Sequence, residues 1–269
     1  LPGEASQKTL KLFVIIFFES LASYVLAFII IFLLNQLIIF IAASSFDYPV
    51  QLSYYKVLFN MPRNEWTPEA VKIIFSTPLL FSFLLGFILF ILYDRVKGLS
   101  GKLRLLLAWM LLHCLTFSLA SLIAGCFIFY ESGYAIAYLL LTETARLSIS
   151  ILAAFFMIVF IVVNFKNFIN VANIYFEDFS NNNKWFILTS LYLLPAFLGA
   201  VVVNTLMHPH MNYYYFINTM AIAITLISWV IMSIRPLLTE FSQSGIRAHI
   251  SWKYIIILVL LITAYRTLL

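Results

Sequence analysis

Charge is what this sequence has least of. Only 10% of its 269 residues are Asp, Glu, Lys or Arg, while 64% are hydrophobic. A soluble domain carries about 25% charged residues, so the deficit excludes a water-soluble globular chain. Cysteine is scarce as well. Cys114 and Cys126 are the two present, and on one predicted helix they stand about 18 Å apart at 1.5 Å per residue. They cannot bond to each other, and they offer no metal-ligand spacing. No internal repeat is visible, which weakens an inverted-repeat transporter reading. The net charge of +5 does not indicate nucleic acid, because the basic residues are scattered over the ends of apolar runs, where anchoring to lipid headgroups is their ordinary use.

What is present is long apolar runs. They predict an all-α, polytopic transmembrane helical bundle with about seven spans (six to eight), forming a single integral membrane domain over residues 1–269. The spans fall roughly at 11–43, 69–96, 102–129, 134–164, 184–206, 214–234 and 252–268, each near or beyond the roughly 20 apolar residues that cross a bilayer as helix. The first is far too long for the apolar core of a cleavable signal. The second has a start signal, with Thr67 able to cap, Pro68 at the first helical position and Glu69 in the first turn. Between spans one and two, residues 44–68 form a small surface segment. There Val50, Leu52 and Tyr54 alternate with polar residues, and Val57 and Phe59 follow, a pattern that suits a short strand or hairpin. A second break, Phe165 to Lys184, reads as a surface loop with a short interfacial helix.

Lys and Arg set the orientation. Eleven fall on the side of the N-terminus and four (Lys56, Arg63, Lys72 and Arg266) on the other, with Arg146 inside a span. The bias places the N-terminus in the cytoplasm and Asn35 toward the outer side; a bacterial inner membrane is the expected location.

Polar groups inside spans are expensive, so each is a functional candidate. Glu19 lies about two helical turns into the first span. Glu143 and Arg146 share one face of the fourth. They either neutralise each other, lie along the interface, or form a buried pair that lines a polar cavity. His113 lies in the third span at a depth similar to that of Glu19, where a Glu–His contact would relay protons; a lone membrane histidine bonding a neighbouring helix is the plainer reading. His208 and His210 flank Pro209 in the turn between spans five and six, and are weak metal candidates because no Cys, Asp or Glu lies nearby. No cofactor is expected.

The segment from the end of span one to span two resembles the site-2 protease family of intramembrane metalloproteases. That family carries HExxH near the end of an apolar helix, then a run such as F-x-A-A, a short β segment, and G-P-x-x-N at the next membrane helix. The matching stretches are Asn35-Gln36-Leu37-Ile38-Ile39, Phe40-Ile41-Ala42-Ala43 and Thr77-Pro78-Leu79-Leu80-Phe81, and the similarity covers about residues 30–130. Zinc hydrolysis needs two imidazoles one helical turn apart and a glutamate to handle the water proton. Those positions hold Asn35, Ile39 and Gln36, and the later L-D-G-type ligand has no match at Leu122-Ile123-Ala124-Gly125. The resemblance therefore implies a degenerate, non-catalytic relative, a pseudoprotease. The family generally keeps its motif near the cytoplasm, which conflicts with the charge-based orientation. Trp109, His113 and Gly125 also look similar to a pattern in multi-span membrane proteins of Bacteroidetes, which implies no biochemical role.

Three functions are compatible with these features. The first is a non-enzymatic subunit or scaffold of a membrane complex, whose partners are membrane lipid and other integral membrane subunits; the 27 phenylalanines suit broad helix–helix contact. The second is a small-molecule or ion transporter using Glu19, His113, Glu143 and Arg146, with Asn35 and Gln36 as hydrogen-bonding groups and Pro78 and Pro195 interrupting spans two and five. The third is a membrane-embedded hydrolase, which would need a metal, through His208 and His210.

Overall fold

A computed structural model describes residues 2–53, 56–95, 101–175 and 188–207, with isolated positions from 216 to 263. The sixth and seventh predicted spans, His208 and His210 lie outside the described residues or are reached only at isolated positions. Five helices among the described residues are long and apolar enough to cross a membrane: Phe13–Ser44, Pro68–Tyr93, Gly101–Phe127, Glu143–Asn164 and Thr189–Leu206. Backbone groups in hydrocarbon must be satisfied within their own segment, and helix is the form that does so for a single run.

Helix α1 spans Pro2–Ser44 and contains no proline or glycine after Gly3. It stops in a Schellman turn. Asp47 takes φ 58°, its N–H bonds Ser44 O at 3.0 Å, and the Tyr48 N–H bonds Ala43 O at 3.2 Å. The end carbonyls of the helix are thereby satisfied. Strands β1 (Val50–Leu52) and β2 (Val57–Phe59) pair antiparallel with Gln51 opposite Leu58, which makes the surface segment a hairpin. Helix α2 spans Pro68–Arg95. Thr67 caps it, with its Oγ1 accepting the Ala70 N–H at 3.2 Å, and the Tyr48 hydroxyl accepts the Thr67 N–H at 3.0 Å. One tyrosine thus joins the stop of α1 to the start of α2. Pro78 does not break α2, which continues through it; Thr77 Oγ1 donates to Ile73 O one turn back.

Helix α3 (Gly101–Leu115) runs through a π-helical turn (Thr116–Ala120) into α4 (Ser121–Phe127). The chain then turns at Glu131, φ 42°, into short α5 (Ser132–Tyr138). Gly133 lets α5 fold back on α4, since a Cβ there would sit 2.0 Å from Ile128 O, and Ser132 Oγ donates to Ser121 O at 2.7 Å. Helix α6 spans Glu143–Tyr175. A second π-helical turn, Thr189–Leu193, leads into α7, Leu194–Met207.

Two expectations are corrected here. The fourth predicted span, 134–164, is divided: α5 ends at Tyr138, Leu140 adopts φ 50°, and the membrane-length helix begins at Glu143. The break expected from Phe165 to Lys184, a surface loop with a short interfacial helix, is instead α6 continued as far as Tyr175, because Asn164 and Asn167 find partners inside the bundle. Asn164 Nδ2 donates to Ala108 O at 3.3 Å, Asn167 Nδ2 to Asn164 Oδ1 at 2.9 Å, and Tyr93 OH to Asn167 O at 3.0 Å.

The helices alternate in direction. Tyr24 meets His113 and Phe28 meets Phe117, so α1 and α3 run parallel. Phe90 meets Phe160 and Tyr93 meets Asn167, so α2 and α6 run parallel to each other. The main core lies where α1, α3, α6 and α7 converge on Trp109. A smaller apolar cluster lies under the hairpin, around Ile39, Ala43, Val57, Ile74 and Phe75.

Candidate functional site

Two places gather chemistry. The first is a polar seam inside the bundle. Trp109 Nε1 on α3 donates to Ser20 Oγ on α1 at 3.0 Å, and Ser20 Oγ donates to Leu191 O in the second π-helical turn. The origin of that acceptor can be read in the chain. Leu191 stands four residues before Pro195, which has no N–H to return to it and whose ring crowds the same carbonyl. The π-helical turn opens the backbone at that point, and a serine from another helix donates to the carbonyl there.

Around this chain of bonds the rings close tightly. Trp109 stacks on Tyr192 at 5.6 Å and 14°, and meets Phe168 and Tyr24 edge-on at 4.6 and 5.0 Å. His113 packs against Tyr24 at 4.5 Å, and its Nε2 lies 3.1 Å from Tyr24 O. Gly199 on α7 presses on the same tyrosine; a Cβ there would lie 2.3 Å from its ring. The Tyr24 hydroxyl is buried without a hydrogen-bond partner.

The predicted polar residues separate into distinct places. Glu19 does not meet His113. Lys102 Nζ lies 2.8 Å from Glu19 Oε1, an ion pair by distance at the first turn of α3. His113 turns to the Tyr24 backbone about 7 Å farther along α1, at 1.5 Å per residue. Glu143 and Arg146 are not a buried intramembrane pair. Glu143 is exposed at the start of α6, and Arg146 forms no ion pair with it, its Nε lying buried without a partner. The reason is the turn at Leu139–Thr142, which brings this stretch to the end of the membrane-length helix rather than its middle.

Asn35 and Gln36 fasten neighbouring elements. Asn35 Nδ2 donates to Ile31 O at 2.9 Å, and its Oδ1 accepts Ser82 Oγ of α2 at 2.8 Å. Gln36 Oε1 accepts the Val57 N–H at 3.0 Å, closing an outward donor of β2 against α1. Gln36→Leu is therefore expected to speed amide exchange at Val57 and protease cleavage within residues 45–67, with a global cost of only about 1 kcal/mol. Exchange at Val57 no faster than wild type would refute that role.

The second place is a cleft of about 600 Å³ beside the hairpin. β2 forms one wall, the start of α2 another, and the α4–α5 connection with α5 a third. Trp66 stacks on Phe75 at 5.8 Å and 15°, Phe59 packs on Trp66 at 4.7 Å, and Tyr134 meets Phe75 at 5.1 Å. Lys56 stands in the lining.

Sequence reasoning missed Ser20, Asn164 and Asn167. Asn164-x-x-Asn167 has the i, i+3 spacing of one helix face, and that signal was legible; Ser20 had none, since its partner is a backbone atom on a distant helix.

Among the described residues no group of three or more His, Cys, Asp or Glu could hold a metal. The fold is that of a helical membrane protein. No protein-family model, no curated protein and no solved structure matches this chain.

Proposed function

We propose that this chain is a non-enzymatic, multi-pass subunit or scaffold of a larger membrane complex. The observation that carries the reading is how its intramembrane polar groups are used. Ser20, Asn35, Gln36, Ser82, Trp109, His113 and Asn164 each bond another element of the bundle or its backbone. Polar side chains used this way hold helices together. Meanwhile α2 and α6 turn broad aliphatic and aromatic faces outward, among them Leu84, Phe87, Ile88, Ile151, Phe155 and Phe156, which suit lipid or a helix of another subunit.

The pseudoprotease resemblance is consistent with the same role. Asn35, Gln36 and Ile39, at the positions where that family carries ligands and base, bond Ser82, hold Val57 and pack beneath the hairpin. The balance of Lys and Arg favours an N-terminus in the cytoplasm, which would put the hairpin on the outer side of what we take to be a bacterial inner membrane.

Native mass spectrometry of protein extracted gently from its own membrane tests the proposal. A stable heteromeric assembly of defined mass is the expected result. A monomer carrying no partner would overturn it and make transport, assayed by flux through Glu19 variants, the working reading.

A further inference from the structure

The cleft beside the hairpin spans two environments. Lys56 belongs to the hairpin, whose surroundings (Asp47, Gln51, Ser53, Asn60 and Asn64) are polar. Phe75 lies seven residues into α2 from Pro68, about 10 Å deeper at 1.5 Å per residue. The cleft thus reaches from the level of lipid headgroups into the outer part of the hydrocarbon. Its volume of about 600 Å³ falls within the roughly 300–1,000 Å³ of small-molecule sites. Lys56 is the one charged side chain among its described lining residues, and rings dominate the rest.

The mouth decides the source of the occupant. Phe129 and Tyr138 line the cleft and are themselves 66% and 41% exposed. Leu139 and Leu140 continue that apolar edge, Leu140 at 87% exposure. A leucine held at φ 50° on a polar, water-facing tip would be unfavourable twice over, by backbone and by hydration; at a lipid surface only the first cost remains. The cleft therefore opens sideways to the bilayer, with its cation toward the headgroups.

We propose that this cleft binds one acyl chain of an anionic membrane phospholipid, with the aromatic walls holding the chain and Lys56 facing the headgroup phosphate. The aromatic-and-cation pairing matches the amphiphile, and the lateral opening matches its supply from the membrane. The site is independent of the subunit role proposed above.

The test uses the full chain in phosphatidylcholine vesicles containing a trace of phosphatidylglycerol with a photoactivatable acyl chain, and maps the labelled residues by mass spectrometry. Label is expected at Phe75, Tyr134 and Tyr138 in excess of that at Leu84 and Phe87, which face outward on α2. Unlabelled phosphatidylglycerol should compete with it better than phosphatidylcholine does. Lys56→Gln should lower cleft labelling by the anionic probe about fivefold, the effect of one lysine near an anionic lipid, and leave labelling by a phosphatidylcholine probe unchanged. Met61→Trp, which enlarges a side chain of the lining, should remove cleft labelling by both probes while the α2 face keeps its label. Lys56→Gln carries the test if Met61→Trp does not fold. Cleft labelling no stronger than that of the α2 face would mean annular lipid only and would overturn the proposal. So would exclusion of both probes by a polypeptide segment cross-linked into the cleft.

Discussion

Replacing Trp109 by alanine is expected to destabilise the folded bundle by about 3 kcal/mol, near the lower end of the range for burying and then deleting a large aromatic side chain. The side chain is fully buried, touching Tyr24 from α1, Phe168 from α6 and Tyr192 from the turn before α7. In a water-soluble protein the loss would include transfer of the indole from water. In a bilayer the unfolded helices are already surrounded by hydrocarbon, so that part shrinks and packing remains. The cavity left by Trp109→Ala lies where four elements meet, so a single helix shifting inward cannot fill it. Trp109→Phe isolates the other contribution. It keeps an aromatic ring among the three neighbours but leaves Ser20 Oγ without its donor, and its cost should be about 1 kcal/mol. Thermal unfolding in mild detergent, followed by circular dichroism, reads both variants. An alanine variant that melts with the wild type would mean that the convergence at Trp109 contributes little and that the bundle is held elsewhere.

The parts of this fold that were legible in the sequence are those governed by local rules. Apolar runs mark the first three helices because hydrocarbon leaves a backbone few other choices. Thr67-Pro68-Glu69 marks the start of α2 because each residue suits its own position there, and the hairpin shows as alternation at Val50–Leu52 and Val57–Phe59. The failures share a cause too. The stretch 134–164 reads as one run because the turn at Leu139–Leu140 contains no glycine, proline or charge; leucine occupies the left-handed conformation that such a signal would normally announce. Helix α6 passes Phe165 because Asn164 and Asn167 bond to α3 and to each other and place a carbonyl before Tyr93, partners far away in sequence. Glu19 and His113 are both within helices, as expected, but depth along two helices had to be judged without their relative slide. A shift of about five residues separates a proton relay from an ion pair with Lys102 and a bond to the Tyr24 carbonyl. The cleft was invisible for the same reason, since its walls come from residues as far apart as Lys56 and Tyr138.

The bond from Ser20 to Leu191 allows a sharper test, because the sequence explains why it is needed. Ser20→Ala should destabilise the protein by about 2 kcal/mol, since it removes the partner of both the Trp109 N–H and the Leu191 carbonyl in a fully buried site, and interhelical bonds in membranes are worth up to about 1.7 kcal/mol each. Residue 195 is proline, so the N–H that an α-helix would return to this carbonyl from four residues on is absent. Pro195→Ala restores an N–H four residues after Leu191 and lets the π-helical turn relax toward α-helix. In that background Ser20→Ala strands one group instead of two, and its cost should fall by about 1 kcal/mol. Wild type, both single variants and the double variant, unfolded reversibly in the same detergent, complete the cycle. Additive costs would mean that Ser20 serves Trp109 alone and that Leu191 O is satisfied within its own helix. A positive coupling would tie the proline of α7 to the serine of α1 as one unit: the break in one helix creates the acceptor that fastens it to another.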